Sequence, residues 1–355
     1  MKKTKQVRVG GALIGGGAPI SVQSMTNTRT ADIEATLAQL SALEAAGCDI
    51  VRFAVRDRED AAAVRILKEK TKLPLVADIH FDYRLAIECA ENGVDKLRIN
   101  PGNIGAEERV RELAACAKAH GIPIRIGINS GCMEKEALAR FGGPTAEAMA
   151  ESALMNAEML ERAGFSDIVL AVKSSSALET VRACRMIASR CDYPLHVGVT
   201  EPGGGEMAIV KSAAGIGALL IDGIGDTIRV SLTGDPVEEV RAGIMLLRAL
   251  GIRKEGLDIV CCPTCGRCRN ISAHDELYYR IQREFENEKR YLKLAVMGCA
   301  VNGPGEAREA DLGIAYGKTN AVIFERGEQV ASGALPAIEE EFIGRIRARL
   351  SKEST

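Results

Sequence analysis

From residue 20 to 250 the chain alternates short apolar, β-rich runs with stretches of helical period. The apolar runs are 20–24, 49–55, 73–79, 96–100, 122–128, 167–173, 194–200 and 227–232. Between them the pattern predicts helices over 33–46, 84–91, 107–119, 146–163 and 237–250, among others. Several of these carry a glycine stop, as at Ala46-Gly47, Asn92-Gly93, His120-Gly121 and Ala163-Gly164. Asp235-Pro236 opens the last one with a capping acceptor followed by a proline suited to the first helical position.

The strand runs read as nearly continuous apolar segments, as expected where both faces of a sheet are covered. Eight such strand–helix units predict an α/β fold, a closed (β/α)8 TIM-type barrel, in preference to a doubly wound open sheet. The fifth connection is the longest and carries extra residues over 133–143. Ahead of the barrel, 7–9 and 13–14 flank glycine-rich turns and predict a hairpin closing its bottom. Residues 251–256 read as a linker. Beyond it come a cysteine-rich loop, a charged helix over 275–290, a strand over 292–297, a hairpin at 321–331 and a final helix from about 336 to 350. The expected domains are therefore a barrel over 1–250 and a smaller α+β domain over 257–355.

Composition narrows the function. At 46% hydrophobic but 4% aromatic, the 355 residues suit an aliphatic α/β core, and a net charge of −2 offers no bulk attraction to nucleic acid or anionic membrane. The charged N-terminus is followed by no apolar leader region, and no run approaches a spanning helix, so a cytoplasmic protein is expected. Eleven cysteines, an odd number, argue against a closed disulfide framework. Five of them fall between Cys261 and Cys299, which in a reducing compartment points to a metal or redox site.

Active sites of such barrels lie at the C-terminal ends of the strands. Those ends offer Arg52, Asp78 and His80, Arg98 and Asn100, Arg125 and Asn129, Lys173, His196 and Glu201, and Arg229 and Ser231. Four arginines and a lysine in apolar strands are costly unless paired, and Asp78 and Glu201 are the chief acids near them. Internal salt bridges are the plain structural explanation for any one of these bases. For all five together, a bound polyanion such as a diphosphate accounts better for the convergence. The Pro202-Gly-Gly-Gly205 loop adds backbone N–H groups where barrels commonly bind phosphate.

Residues 261–269 read Cys-Cys-Pro-Thr-Cys-Gly-Arg-Cys-Arg, and Cys299 follows a further predicted strand. The Cys-x-x-Cys pair can be drawn as Cys262 and Cys265 or as Cys265 and Cys268. Zinc, an iron–sulfur cluster and a redox dithiol are all compatible with that pattern, although a four-cysteine zinc site usually carries a second knuckle.

Several segments closely resemble one family: Ser24-Met-Thr-Asn27, Ala77-Asp-Ile-His-Phe-Asp-Tyr83, Leu97-Arg-Ile-Asn-Pro-Gly-Asn103 and Ile124-Arg-Ile-Gly127. Gly223-Ile-Gly-Asp-Thr-Ile-Arg-Val-Ser231, Cys262-Pro-Thr-Cys-Gly-Arg267 and Asn302-Gly-Pro-Gly-Glu306 complete the set. The chain resembles the 4-hydroxy-3-methylbut-2-en-1-yl diphosphate synthases of the non-mevalonate isoprenoid pathway, in their two-domain bacterial form, from about residue 5 to 345. The resemblance implies an iron–sulfur oxidoreductase with a [4Fe–4S] cluster on Cys262, Cys265, Cys299 and Glu306. Cys261 and Cys268 depart from the family pattern. The implied substrate is 2-C-methyl-D-erythritol 2,4-cyclodiphosphate, opened and dehydrated by two electrons. Arg52, Arg98, Arg125, Asn129, Lys173, Arg229 and Ser231 would clamp its diphosphate, with His196 as a further contact and Glu201 beside Glu306 in catalysis. A flavodoxin or ferredoxin would supply the electrons. The rival expectation is a barrel hydrolase or transferase of a phosphorylated substrate with a structural zinc module.

A last barrel helix of about 15 residues carries the chain roughly 22 Å away from the mouth. A linker of about six residues spans at most about 20 Å. The cluster domain is therefore expected to serve a second subunit's barrel, in a two-fold homodimer.

Overall fold

The computed structural model describes residues 3–80, 82–100, 104–105, 107–131, 133, 135–268, 270–299, 305 and 307–351. The chain forms two compact units, Met1–Leu250 and Gly251–Thr355.

In the first unit a hairpin of β1 (Val7–Val9) and β2 (Ala12–Ile14) precedes eight parallel strands. These are β3 (Ser21–Met25), β4 (Ile50–Ala54), β5 (Leu75–Asp78), β6 (Lys96–Ile99), β7 (Ile124–Asn129), β8 (Ile168–Lys173), β9 (His196–Val197) and β10 (Thr227–Ile228). The sheet order is β8-β7-β6-β5-β4-β3-β10-β9, and a parallel bridge from Leu170 to Leu195 brings the last edge back to β8. The ring is thus closed, as the repeated strand–helix pattern predicts. Apolar side chains on the outside of the strands pack against the helices in one continuous core. Val9 and Ile14 of the hairpin pack on Ile50 and Val76 and seal the bottom.

Strands β9 and β10 are shorter than the apolar runs around them predict. The Asp226 carboxylate takes the Leu195 N–H at 2.8 Å. A Cβ at Gly198 would lie 2.5 Å from the Arg229 carbonyl, so the strands approach too closely there for ordinary ladder pairing. The same glycine leaves room for Lys173, whose Nζ would be 2.8 Å from that Cβ. Gly127 does the same for Arg98, whose guanidinium fills the space of the missing side chain. Small residues on the inner face of the barrel therefore make room for its large bases.

The second unit is a five-stranded sheet in the order β11 (Leu257–Cys261), β12 (Leu292–Met297), β13 (Leu312–Tyr316), β14 (Asn320–Glu325), β15 (Glu328–Ala334). The first three strands run parallel and the last two antiparallel. One face of the sheet, with Leu294, Val296, Ile314 and Ile323, packs against the helices Ile271–Glu284 and Ala337–Ser351. The first helix starts earlier than the charge pattern predicts because the Asn270 side chain caps it, accepting from the Ala273 N–H at 3.3 Å. Strands β11 and β13 are additions to the predicted set. Parallel pairing of β11 with β12 has a direct consequence: Cys261-Cys262 and Gly298-Cys299 emerge from the same edge of the sheet.

Candidate active site: a cationic barrel mouth and a cysteine loop

Inside the barrel, side chains two residues apart on a strand share the inner face. On β6 these are Lys96 and Arg98, on β4 Arg52, on β7 Arg125, Gly127 and Asn129, and on β8 Lys173. Register places Arg98 beside both Asp78 and Arg125, and Asn129 beside Lys173. Among the described residues, six bases in this interior meet two buried carboxylates, Asp78 and Glu239.

Asp78 is 4% exposed and receives Arg98 Nη1 at 2.9 Å, with Arg52 Nε at 3.6 Å and His80 Nε2 at 3.7 Å. Burial alone would raise its pKa, but Arg52 and Arg98 overcome that and hold it down at about 2. Arg52 also points its Nε and Nη2 at the Met25 sulfur, and burial lowers it to about 10 despite Asp78. Glu239, from the helix Pro236–Ala249, grips Arg229 through Nε at 2.9 Å and Nη2 at 2.8 Å. The same carboxylate accepts from Ser24 Oγ and the Leu232 N–H, so every lone pair facing the barrel is engaged. This corrects the expected pairing, since Glu201 makes no ion pair with a base among the described residues.

The remaining bases have no carboxylate. Lys96 is fully buried, and its Nζ has no hydrogen-bond partner among the described residues. Arg125 is 1% exposed and donates Nη1 to Gln23 Oε1 at 3.3 Å, while its Nε and the Gln23 Nε2 go unpaired. Lys173 Nζ lies 3.2 Å from His196 Nε2, and His196 Nδ1 is 3.4 Å from Thr227 Oγ1. Burial first, then the neighbouring cations, push Lys96, Arg125, Lys173 and His196 well below their ordinary values. A neutral His196 accepting from Lys173 at Nε2 would donate Nδ1–H to Thr227. This interior is short of negative charge, and several of its buried donors are left without a partner among the described residues.

Of the other site residues expected from sequence, Asn129 and Ser231 are half-buried, and Glu201 is exposed. Glu201 has φ of 50°, a left-handed conformation that costs a residue with a side chain about 1–3 kcal/mol. Lys96 is absent from the expected set although its spacing to Arg98 places both on one face. Glu239 is also absent, because helical periodicity does not reveal an acid that turns inward over a strand end.

In the second unit, the Gly298 N–H donates to Cys262 Sγ at 3.0 Å, and the Cys262 N–H to the Val296 carbonyl. A Cβ on Gly298 would sit 3.2 Å from Cys262 Sγ and 2.6 Å from Cys268 Sγ, so only glycine leaves this sulfur-lined hollow open. Cys265 is exposed on the turn closed by the Cys268 N–H and the Cys265 carbonyl at 2.8 Å. The Arg267 backbone N–H, then its guanidinium, hold the Cys265 thiol below its ordinary range, and Arg267 also feels Cys299. Buried His274 lies behind, with Nε2 3.5 Å from Cys261 Sγ and 3.7 Å from Cys262 Sγ. Burial raises Cys261 to about 11. Among the described residues no three metal-binding side chains stand close enough to share one ion. Ligands of a multi-iron cluster bind separate irons and stand farther apart, so the soft thiol set around an open glycine fits a cluster. Glu306 lies outside the described residues.

Residues 4–244 match the model of the GcpE TIM-barrel domain, and residues 258–348 match the GcpE protein C-terminal domain. A relative from Ruminiclostridium cellulolyticum is 54% identical over 344 residues, covering 97% of each chain. Another, from Caldanaerobacter subterraneus subsp. tengcongensis, is 51% identical and covers 99% of each. Both are named 4-hydroxy-3-methylbut-2-en-1-yl diphosphate synthase (flavodoxin). Among solved structures, a type I 3-dehydroquinate dehydratase from Clostridium difficile superposes with a TM-score of 0.50 at 14% identity, over 70% of this chain and 98% of its own. That likeness concerns the fold alone. With both units matched in order and relatives of this similarity spanning nearly its whole length, the chain belongs to the GcpE family.

Proposed function

We infer that this protein opens 2-C-methyl-D-erythritol 2,4-cyclodiphosphate reductively and dehydrates it to 4-hydroxy-3-methylbut-2-en-1-yl diphosphate, in the non-mevalonate isoprenoid pathway. The relatives carry the name of that synthase, and the observation that best supports the reading here is the surplus of buried cations in the barrel. Arg52, Arg98, Arg125, Lys173 and Arg229, with Asn129, Ser231 and His196, are the proposed hold on the diphosphate. Asp78 and Glu239 keep Arg98, Arg52 and Arg229 pre-aimed, so little orientational freedom is lost on binding. The conversion consumes two electrons and the protons needed to release one water.

A [4Fe–4S] cluster on Cys262, Cys265, Cys299 and Glu306 would supply those electrons and a Lewis-acidic iron. Glu201, strained and exposed beyond β9, is the proposed proton donor. Flavodoxin is the electron donor named for the relatives and the one proposed here. All ten described cysteines are free, and no helix among the described residues is long and apolar enough to cross a membrane. A cytoplasmic location is proposed. Iron and acid-labile sulfide measured on anaerobically purified protein test the cluster. About four of each per chain are expected for the wild type, and a lower iron content in Glu306→Ala would place that carboxylate on the metal. Stoichiometric zinc without sulfide would remove the reductive reading.

The buried bases also predict the proton balance of binding. Their folded pKa values lie below the unfolded ones, so free-protein stability increases with pH across that interval and falls as acid charges them. A bound dianion raises these pKa values again. The cyclic diphosphate carries one strongly acidic group per phosphorus and does not itself titrate near pH 8. Any proton exchange linked to binding, read by calorimetry in two buffers of different ionisation enthalpy over a series of pH values, should therefore be uptake. Net proton release would contradict the assignment.

The protein is proposed to act as a head-to-tail homodimer with each active site shared between subunits. Barrel helices lead away from the mouth, and residues 250–256 alone separate the last of them from β11, spanning at most about 25 Å. Mixing Lys173→Met and Cys262→Ser, each strongly impaired alone, should raise activity to about a quarter of wild type after subunit exchange, because half of the dimers are mixed and each of these keeps one intact site. No recovery after demonstrated exchange would place both halves of the site in one chain.

A further inference from the structure

Cys268 lies outside the ligand set inherited from the family, yet its sulfur is the one that most nearly fills the space above Gly298. The hypothetical Gly298 Cβ would be 2.6 Å from Cys268 Sγ and 3.2 Å from Cys262 Sγ. The two sulfurs can be no farther apart than the sum of those distances, about 5.8 Å. No side chain at position 298 stands between them. Cys265, by contrast, is the exposed cysteine of the loop. The spacing repeats as well: Cys262-x-x-Cys265 and Cys265-x-x-Cys268 overlap, and the turn that joins the latter pair is already closed by a backbone hydrogen bond of 2.8 Å. A thiol one turn further along the loop thus has both the proximity and the loop geometry to reach an iron next to the one on Cys262.

We propose that Cys268 is a reserve ligand of the cluster, able to replace Cys265, so that this centre can be held in two thiolate ligation states. The exchange moves one proton and no electrons: the Cys268 thiol gives up its proton as its sulfur bonds iron, and the released Cys265 thiolate takes one up. Cys261 is not a candidate for the same role. Its sulfur lies 3.5 Å from His274 Nε2 and 3.8 Å from the Cys262 carbonyl, and it is not among the atoms nearest the open space at Gly298.

This inference rests on the cluster reading, and the test separates the two. Wild type, Cys265→Ser, Cys268→Ser and the double variant are purified anaerobically, reconstituted with iron and sulfide, and analysed for both elements and by Mössbauer spectroscopy. Wild type without iron or sulfide would end the cluster reading itself. If the wild type is loaded, Cys265→Ser should retain at least half of its iron and sulfide, with altered parameters at one iron site. The double variant should retain less than a tenth, and Cys268→Ser should stay near wild type. Circular dichroism of the four proteins shows whether the second unit is folded in each. A folded Cys265→Ser protein as empty as the double variant would overturn the proposal, because Cys268 would then be out of reach.

Discussion

Replacement of Lys173 by Met is expected to lower kcat/KM for the cyclic diphosphate by thirty-fold to several thousand-fold without unfolding the barrel. Lys173 is 7% exposed, and its Nζ has a neutral imidazole nitrogen at 3.2 Å, not a carboxylate. Removing one member of a buried charge pair costs about 2–5 kcal/mol of binding, which sets the range. The free protein should respond in the opposite direction. Arg229, Arg52 and Arg125 repel Lys173, and losing a desolvated cation relieves both repulsion and burial cost. Thermal unfolding of the unliganded variant should therefore match or exceed wild type while substrate affinity collapses. A variant that loses stability and affinity together would show that Lys173 supports the fold and not the ligand.

Substitution of Gly298 by Ala should remove most of the iron and sulfide and the activity with them. The added methyl would meet Cys268 Sγ at 2.6 Å, Cys268 Cβ at 3.1 Å and Cys262 Sγ at 3.2 Å. Real Cβ atoms do not make the 2.6 Å approach, so Cys268 must turn away, and Cys262 must give by a few tenths of an ångström against its 3.0 Å bond from the Gly298 N–H. The backbone at 298 is not in the left-handed region, so the penalty comes from space and not from torsion. Iron analysis alongside far-UV dichroism separates loss of the site from loss of the sheet. Full iron content in a folded Gly298→Ala protein would mean that these sulfurs do not line the centre as described.

The barrel was legible because each strand is buried on both faces and each helix is punctuated by a cap or a glycine. Its bases were legible for the same reason: Arg52, Arg98, Arg125 and Lys173 interrupt otherwise apolar runs. Lys96 carried that signal too, two residues before Arg98, but lies a layer below the strand end where active-site groups are sought. Glu239 could not be read from the chain. Its inward turn is shared between Arg229, ten residues earlier, and Ser24, 215 residues away, which meets it only in the closed ring. In the second unit, β11 lay hidden between a glycine-rich linker and the cysteine loop, although its partner β12 was evident. Only their parallel pairing shows why two cysteine segments far apart in sequence share an edge.

The central claim joins the cationic barrel to the cysteine loop in one reductive reaction. Its most direct test is anaerobic turnover of 2-C-methyl-D-erythritol 2,4-cyclodiphosphate with reduced flavodoxin, the product identified by mass spectrometry. Formation of 4-hydroxy-3-methylbut-2-en-1-yl diphosphate by the iron-loaded wild type, abolished in Cys262→Ser and strongly reduced in Lys173→Met, is the result predicted. Iron-loaded wild-type protein that leaves the cyclic diphosphate unchanged under these conditions, or Cys262→Ser protein that converts it as fast as wild type, would contradict it.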